Sequence, residues 1–170
     1  MDWQMLTLVG KDRPGIVAQV TEALFQGGCN LGEASMIRLG GNFTIMLMVR
    51  NGGEGLAALI EPVAERLGLR FHVDPIHGEL HQHTAPNYQI RVVGADRTGI
   101  VARVSGALTR AGLNILELES DVVGNEQEPV YIMTIQGAAD ATLEELEAAL
   151  AGLDLQGMEV NIAPIETLIG

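Results

Sequence analysis

Two stretches of this chain carry the same polar residues at the same spacing. Asp12, Arg13 and Gly15 precede an apolar-periodic segment that closes at Asn30, and Asp96, Arg97 and Gly99 precede one that closes at Asn114. Each residue type has a chemical use. A glycine ahead of a helix lets the backbone turn without steric penalty or approach a bound molecule closely. The helix start behind it offers unpaired N–H groups and the positive end of the helix dipole, where a carboxylate can sit. The amide of Asn30 or Asn114 carries donor and acceptor together, suited to reading the ammonium and carboxylate of an amino acid at once. Gly15, Asn30, Gly99 and Asn114 therefore suit a site for a small amino acid. Structural uses fit the same residues. Asp12 and Asp96 stand where an N-cap would, which stabilises a helix by about 1 kcal/mol with no ligand present. Asn30 and Asn114, close to Gly28 and Gly112, could end a helix in the left-handed conformation. Arg13 and Arg97 could do no more than pair with carboxylates on an acidic chain.

Both constellations belong to a duplication. Gly10–Leu31 and Gly94–Ile115 match at a shift of 84, with 12 of 22 positions identical, and self-similarity of this kind organises a whole chain. Phe43–Val49 corresponds to Tyr131–Gly137 at a shift of 88, and Asp74–Ile76 to Ala163–Ile165 at a shift of 89. The growing shift implies loop insertions, the first in Gly124–Pro129, where the first half has a tighter turn at Gly40–Asn42. His77–Asn87 is polar and contains proline, which reads as a linker. The domains are then 1–77 and 88–170, joined by 78–87.

Within each half the hydrophobic period switches in a fixed order. "QMLTLVG" and "YQIRVVG" are short strand-like runs; Ile16, Val17, Val20, Ala23 and Leu24, with Ile100, Val101, Val104, Ala107 and Leu108, then fall on one helix face. Two strand-like runs follow, "LGEASMIRL" with "FTIMLMVR" and "NILELESDVV" with "VYIMTIQG", and then a second helix. In the second half its stripe is Leu143, Leu146, Leu150 and Leu153, opened by Thr142 and Glu145 at capping-box spacing. In the first half Pro62 predicts a kink or a late start. A last strand completes βαββαβ, so the fold class is α+β: two ferredoxin-like domains, each an antiparallel sheet with two helices on one face. Met46 and Met48 alternate with Ile45, Leu47 and Val49, so both faces of the third strand are apolar and the face away from the helices calls for a cover.

Composition limits what such a fold does. The 22 acidic against 10 basic residues leave a formal net charge of -12, which repels phosphate backbones and argues against direct nucleic-acid binding. Aromatics at 4% also fail the stacking platform of an RNA-recognition module. The lone Cys29 excludes an internal disulfide and the paired thiolates of a copper-chaperone loop, and reads as a small apolar core residue. His77, His81 and His83 are spaced like metal ligands but lie in a polar linker, where solvation is the plainer reading. No apolar run reaches the roughly 18 residues of a membrane span, and "MDWQML" lacks signal-peptide design, which makes the cytoplasm the expected location. No cofactor is called for. No nucleophile and base recur in both halves, which weighs against an enzyme.

At "DRPG...GCNL" and "DRTG...GLNI" the chain resembles the ACT domain, the small-molecule regulatory module of amino-acid metabolism, over nearly all of both halves. A chain of two such domains and nothing else is similar to the glycine cleavage system transcriptional repressor family. The resemblance implies a ligand held between the Asp-Arg-x-Gly loop of one domain and an Asn-bearing segment, often at an interface with a second domain, and so makes Asp12, Arg13, Gly15, Asn30, Asp96, Arg97, Gly99 and Asn114 the candidate binding residues. Where some serine-binding relatives carry His-x-Asn, this chain has Gly10-x-Asp12 and Gly94-x-Asp96. The function implied is a non-enzymatic regulator that senses a small amino acid, glycine or serine, and acts as a homodimer through a protein partner. The alternatives are a detached regulatory subunit of a metabolic enzyme, a dimerisation module without ligand and, last, an acyl-phosphate hydrolase.

Overall fold

The computed structural model describes residues 3–51, 55–76, 84–95, 98–125, 127–155 and 157–165. The chain divides into two compact units, 1–80 and 81–170. The first runs β1 (Gln4–Lys11), α1 (Ile16–Gln26), β2 (Asn30–Leu39), β3 (Asn42–Arg50), α2 (Leu56–Leu67), β4 (Arg70–Pro75); the second runs β5 (Tyr88–Ala95), α3 (Ile100–Arg110), β6 (Asn114–Asn125), β7 (Glu128–Ala138), α4 (Leu143–Ala151), β8 (Met158–Pro164). The sheets have strand order β2-β3-β1-β4 and β6-β7-β5-β8, antiparallel throughout. Each unit is thus the α+β, ferredoxin-like βαββαβ arrangement that the alternation of periods predicts.

The two periods meet in each core. Leu6 and Leu8 of β1 and Phe43, Ile45, Leu47 and Val49 of β3 point to one face, where Ile16, Val20 and Leu24 of α1 and Ile60, Val63 and Ala64 of α2 cover them. In the second unit Ile90, Val92, Met133 and Ile135 meet Ile100, Val104 and Leu108 of α3 and Leu146 and Leu150 of α4. The alternating set of a strand and the three-to-four spacing of a helix both turn an apolar side to the same layer.

The duplication extends to a defect. One extra residue bulges from β2 just after Leu31 and from β6 just after Ile115, bending both edge strands at the same place. The growth in sequence shift, however, is not a longer loop. β2 and β3 have 10 and 9 residues around the turn at Gly40 and Gly41, both with positive φ, whereas β6 and β7 have 12 and 11 and pair out to Asn125 and Glu128. The inserted residues lengthen the hairpin arms, because Gly124 and Pro129 still pair across the ladder.

Other local expectations divide. Thr142 and Glu145 form the expected capping box on α4. α2 starts at Leu56 and runs through Pro62, so the late start expected there is not found. Asn87, placed in the linker by its neighbours, is tied into the second unit: its amide donates to the Ala139 carbonyl at 2.8 Å and accepts from the Ala139 N–H at 3.0 Å. On the face of the first sheet away from the helices, Gly32 leaves room for the Trp3 indole beside Met48, and the Arg50 guanidinium lies 5.1 Å from the indole centroid, a cation–π contact. Met48 is buried but Met46 is 44% exposed, so the unit covers that apolar face only in part. No described helix is long and apolar enough to cross a membrane.

Candidate functional site

In the first unit the loop between β1 and α1 forms one wall of an open concavity of about 720 Å³, lined by Asp12, Arg13, Gly15 and the first turn of α1 on one side and by Met36, Arg38 and Phe43 on the other. The loop builds it in three steps. Gly10 pairs with Phe43, which pairs with Arg38, so β2 delivers Arg38 opposite the loop. The Asp12 carboxylate accepts from the Arg38 guanidinium at 2.6 Å, with the arginine side chain 65% exposed. Gly15 then takes the left-handed conformation, φ 85°, as N-cap of α1 with no side-chain cap. Its carbonyl accepts the first helical bond from Gln19, which leaves the first-turn N–H groups of α1 without intrahelical partners at the mouth of the concavity. A carboxylate would find donors and a positive helix end there.

The structural uses weighed for the same residues sort out differently. Asp12 does not cap α1: the helix begins beyond two further loop residues, at a glycine cap. Arg13 does not pair with a carboxylate among the described residues; its guanidinium donates to the Leu67 carbonyl and braces the end of α2. Asn30 does not end a helix. The left-handed residue after α1 is Gly28, with φ 70°, and after α3 it is Gly112, with φ 91°, while Asn30 and Asn114 begin β2 and β6.

The candidates are not all brought together within a unit. Asn30 pairs with Arg50 at the opposite end of β2 from Arg38, at the C-terminal end of α1, whose 11 residues span about 16 Å. Asn114, paired with Ala138, stands likewise at the far end of α3 from Gly99. In the second unit Gly99 repeats the left-handed, side-chain-free cap at φ 86°, and Arg103 donates to its carbonyl. Asp96 and Arg97 lie outside the described residues, as do His77, His81 and His83.

The ACT domain family matches residues 5–74 and again residues 88–151. The chain is a tandem of two ACT domains. Over 157 residues it is 26% identical to the glycine cleavage system transcriptional repressor of Escherichia coli strain K12, an alignment covering 88% of this chain and 82% of that protein. A crystal structure of an unknown protein from Galdieria sulphuraria superposes with a TM-score of 0.75 at 24% identity, covering 97% of this chain and 99% of that one. Another, provisionally assigned as a glycine cleavage system transcriptional repressor, gives 0.72 at 20% identity and 98% coverage of each chain. These two share the tandem ACT fold.

Within this ACT tandem the glycines at positions 10 and 94 have a steric cause. A Cβ on Gly94 would fall 2.6 Å from the Gly157 carbonyl and 2.9 Å from the Met158 Cα, and one on Gly10 would fall 2.6 Å from a Leu69 methyl. The second loop therefore has no room for a side chain at Gly94, whereas at Gly10 the first obstacle is the movable end of the Leu69 side chain. Sequence reasoning missed Arg38, Met36 and Phe43 as parts of the site. Their signal was the duplication itself, since Arg38 aligns with Val122 and Phe43 with Tyr131, but which face of an edge strand a residue takes depends on the bulge. A further cleft, about 560 Å³ between α4 and β8, is lined by Leu150, Leu153, Met158 and Val160 with Glu147 and Asp154 at its rim; it lacks an open helix start. Cys29 packs against the first core, and burial pushes its thiol pKa up, away from nucleophilic use.

Proposed function

We propose that this tandem ACT protein is a non-enzymatic regulator that senses a small amino acid, glycine or serine, and passes the state of its sites to a protein partner in the control of amino-acid metabolism or transcription. The observation that carries the reading is the open start of α1: a left-handed glycine cap without side-chain partner, in an open concavity that also holds the Asp12–Arg38 pair. First-turn N–H groups take the ligand carboxylate, and Asp12 and Arg38 supply opposite charges beside it. The relationship to a transcriptional repressor along most of both chains supports a role in gene control. A net charge of -12 supports acting there through another protein. A ligand that binds one loop conformation better than another shifts the population of that conformation, and with it the surface offered to the partner.

The test is thermal unfolding of the full chain against each of the amino acids. One small member should stabilise the protein by about 2.7 kcal/mol at 100 times its Kd. Flat profiles for every amino acid at saturating millimolar concentration would overturn the reading.

A further inference from the structure

The helix layer of the first unit carries an aromatic ring that its own packing does not use. Phe25 of α1 is 75% exposed, and its counterpart in the duplicated half is Thr109, so the fold does not ask for a ring there. A single exposed apolar side chain means little. This one stands beside a hole. Ala18 and Ala23 of α1, with Leu59, Pro62 and Val63 of α2, line an open groove of about 700 Å³ between the two helices. Small residues on the α1 wall leave the groove open, and Pro62 adds an apolar ring to the other wall with no N–H to satisfy. Phe25 follows Glu22 by one helical turn and Ala18 by two, so it shares their stripe of the helix surface next to the groove.

Opposite charges face each other on the two walls. Glu22 is on α1 and Arg66 on α2. The Gln26 amide donates to the Glu22 carboxylate at 2.8 Å and steadies it at the rim, while Arg66 forms no ion pair among the described residues. The second unit does not repeat the pattern, because Gly106 takes the place of Glu22. One patch of the first unit thus presents a knob and a hole, an anion and a cation. A two-fold interface needs that combination, since the same surface meets itself and every contact is made twice.

We propose that the α1–α2 face of the first unit is the interface with a second copy of this chain. Phe25 of each copy enters the groove of the other, and Glu22 of each copy pairs with Arg66 of the other. The contact then has an apolar centre and a charged rim. Ala18 lines both the groove and the concavity at the start of α1, so the dimer face and the candidate amino-acid site meet on one helix; the interface itself requires no ligand.

Sedimentation velocity of the full chain over a concentration series tests the proposal. The parent should be a dimer. Phe25→Thr, which installs the second unit's residue, should raise the dimer dissociation constant at least about hundredfold, because a two-fold interface loses the buried ring twice. Glu22→Arg and Arg66→Glu alone each set like charges against one another and should raise it roughly tenfold; the two together should return it toward the parent's value. All four variants should keep the parent's urea midpoint, since the three positions are exposed. A parent that stays monomeric up to its solubility limit would overturn the proposal, as would a dimer indifferent to Phe25→Thr or a double reversal as weak as the single ones. Loss of the dimer only in step with a lowered midpoint would show the patch to be structural and overturn it too. None of these outcomes bears on the amino-acid reading, which thermal unfolding decides.

Discussion

Arg38 allows the proposed binding role to be tested apart from stability. Its side chain is mostly exposed, and an exposed ion pair contributes little to folding. Arg38→Val, which installs the second unit's residue, should therefore change the urea midpoint by less than the equivalent of about 0.5 kcal/mol. It also removes the cation beside the α1 start and frees Asp12 to repel a carboxylate, so ligand affinity at the first site should fall by roughly tenfold. Equal affinities in Arg38→Val and the parent would remove Arg38 from the site. Cys29 gives a pH signature. Burial raises its folded pKa above the unfolded value, so the folded state keeps the proton longer. The stabilisation is complete below the unfolded pKa and is lost as pH rises through the folded one. Urea midpoints measured from about pH 7 to 10, the range in which thiols titrate, should fall more steeply in the parent than in Cys29→Ala.

At the level of elements, Gly10 and Gly94 mark where strands approach each other closely beside the loops. Gly94→Ala would drive a methyl group into the backbone at Gly157 and Met158 and should cost about 1–3 kcal/mol by overpacking. Gly10→Ala meets first the end of the Leu69 side chain, which can swing aside, and should cost less. Denaturant unfolding of the two variants checks the order; equal costs would show that the Leu69 side chain is held as firmly as the backbone at Gly157 and Met158. The βαββαβ order was legible because each element's hydrophobic period is local. So was the capping box, since Thr142 and Glu145 need only their own helix. The hairpin arms were misread because a polar run such as "GNEQEP" has turn composition, while its extension as strand depends on cross-strand partners far along the chain. Asp12 was open to misreading as a cap because an acid before a helical stripe does not say how many loop residues intervene. Its pairing with Arg38 was hidden for a related reason: a one-residue bulge after Leu31 decides which face Arg38 takes.

For the whole molecule, one gene segment used twice has yielded two ACT domains with the same frame and different walls. The frame is the glycine-capped helix start, present at Gly15 and Gly99 with nearly equal backbone angles. The matching register positions differ, Phe43 against Tyr131, Met36 against Ser120 and Arg38 against Val122, so the two units should respond unequally to a given amino acid. The proposed function places the amino acid at these helix starts. Amide chemical-shift mapping of the isotope-labelled full chain during titration with glycine and with serine tests it most directly. The largest shifts should fall on the first-turn amides of α1, Ile16 to Ala18, and of α3, Ile100 to Ala102, with the α4–β8 cleft unmoved. Saturating shifts confined to that cleft, or no shifts with either amino acid, would contradict it.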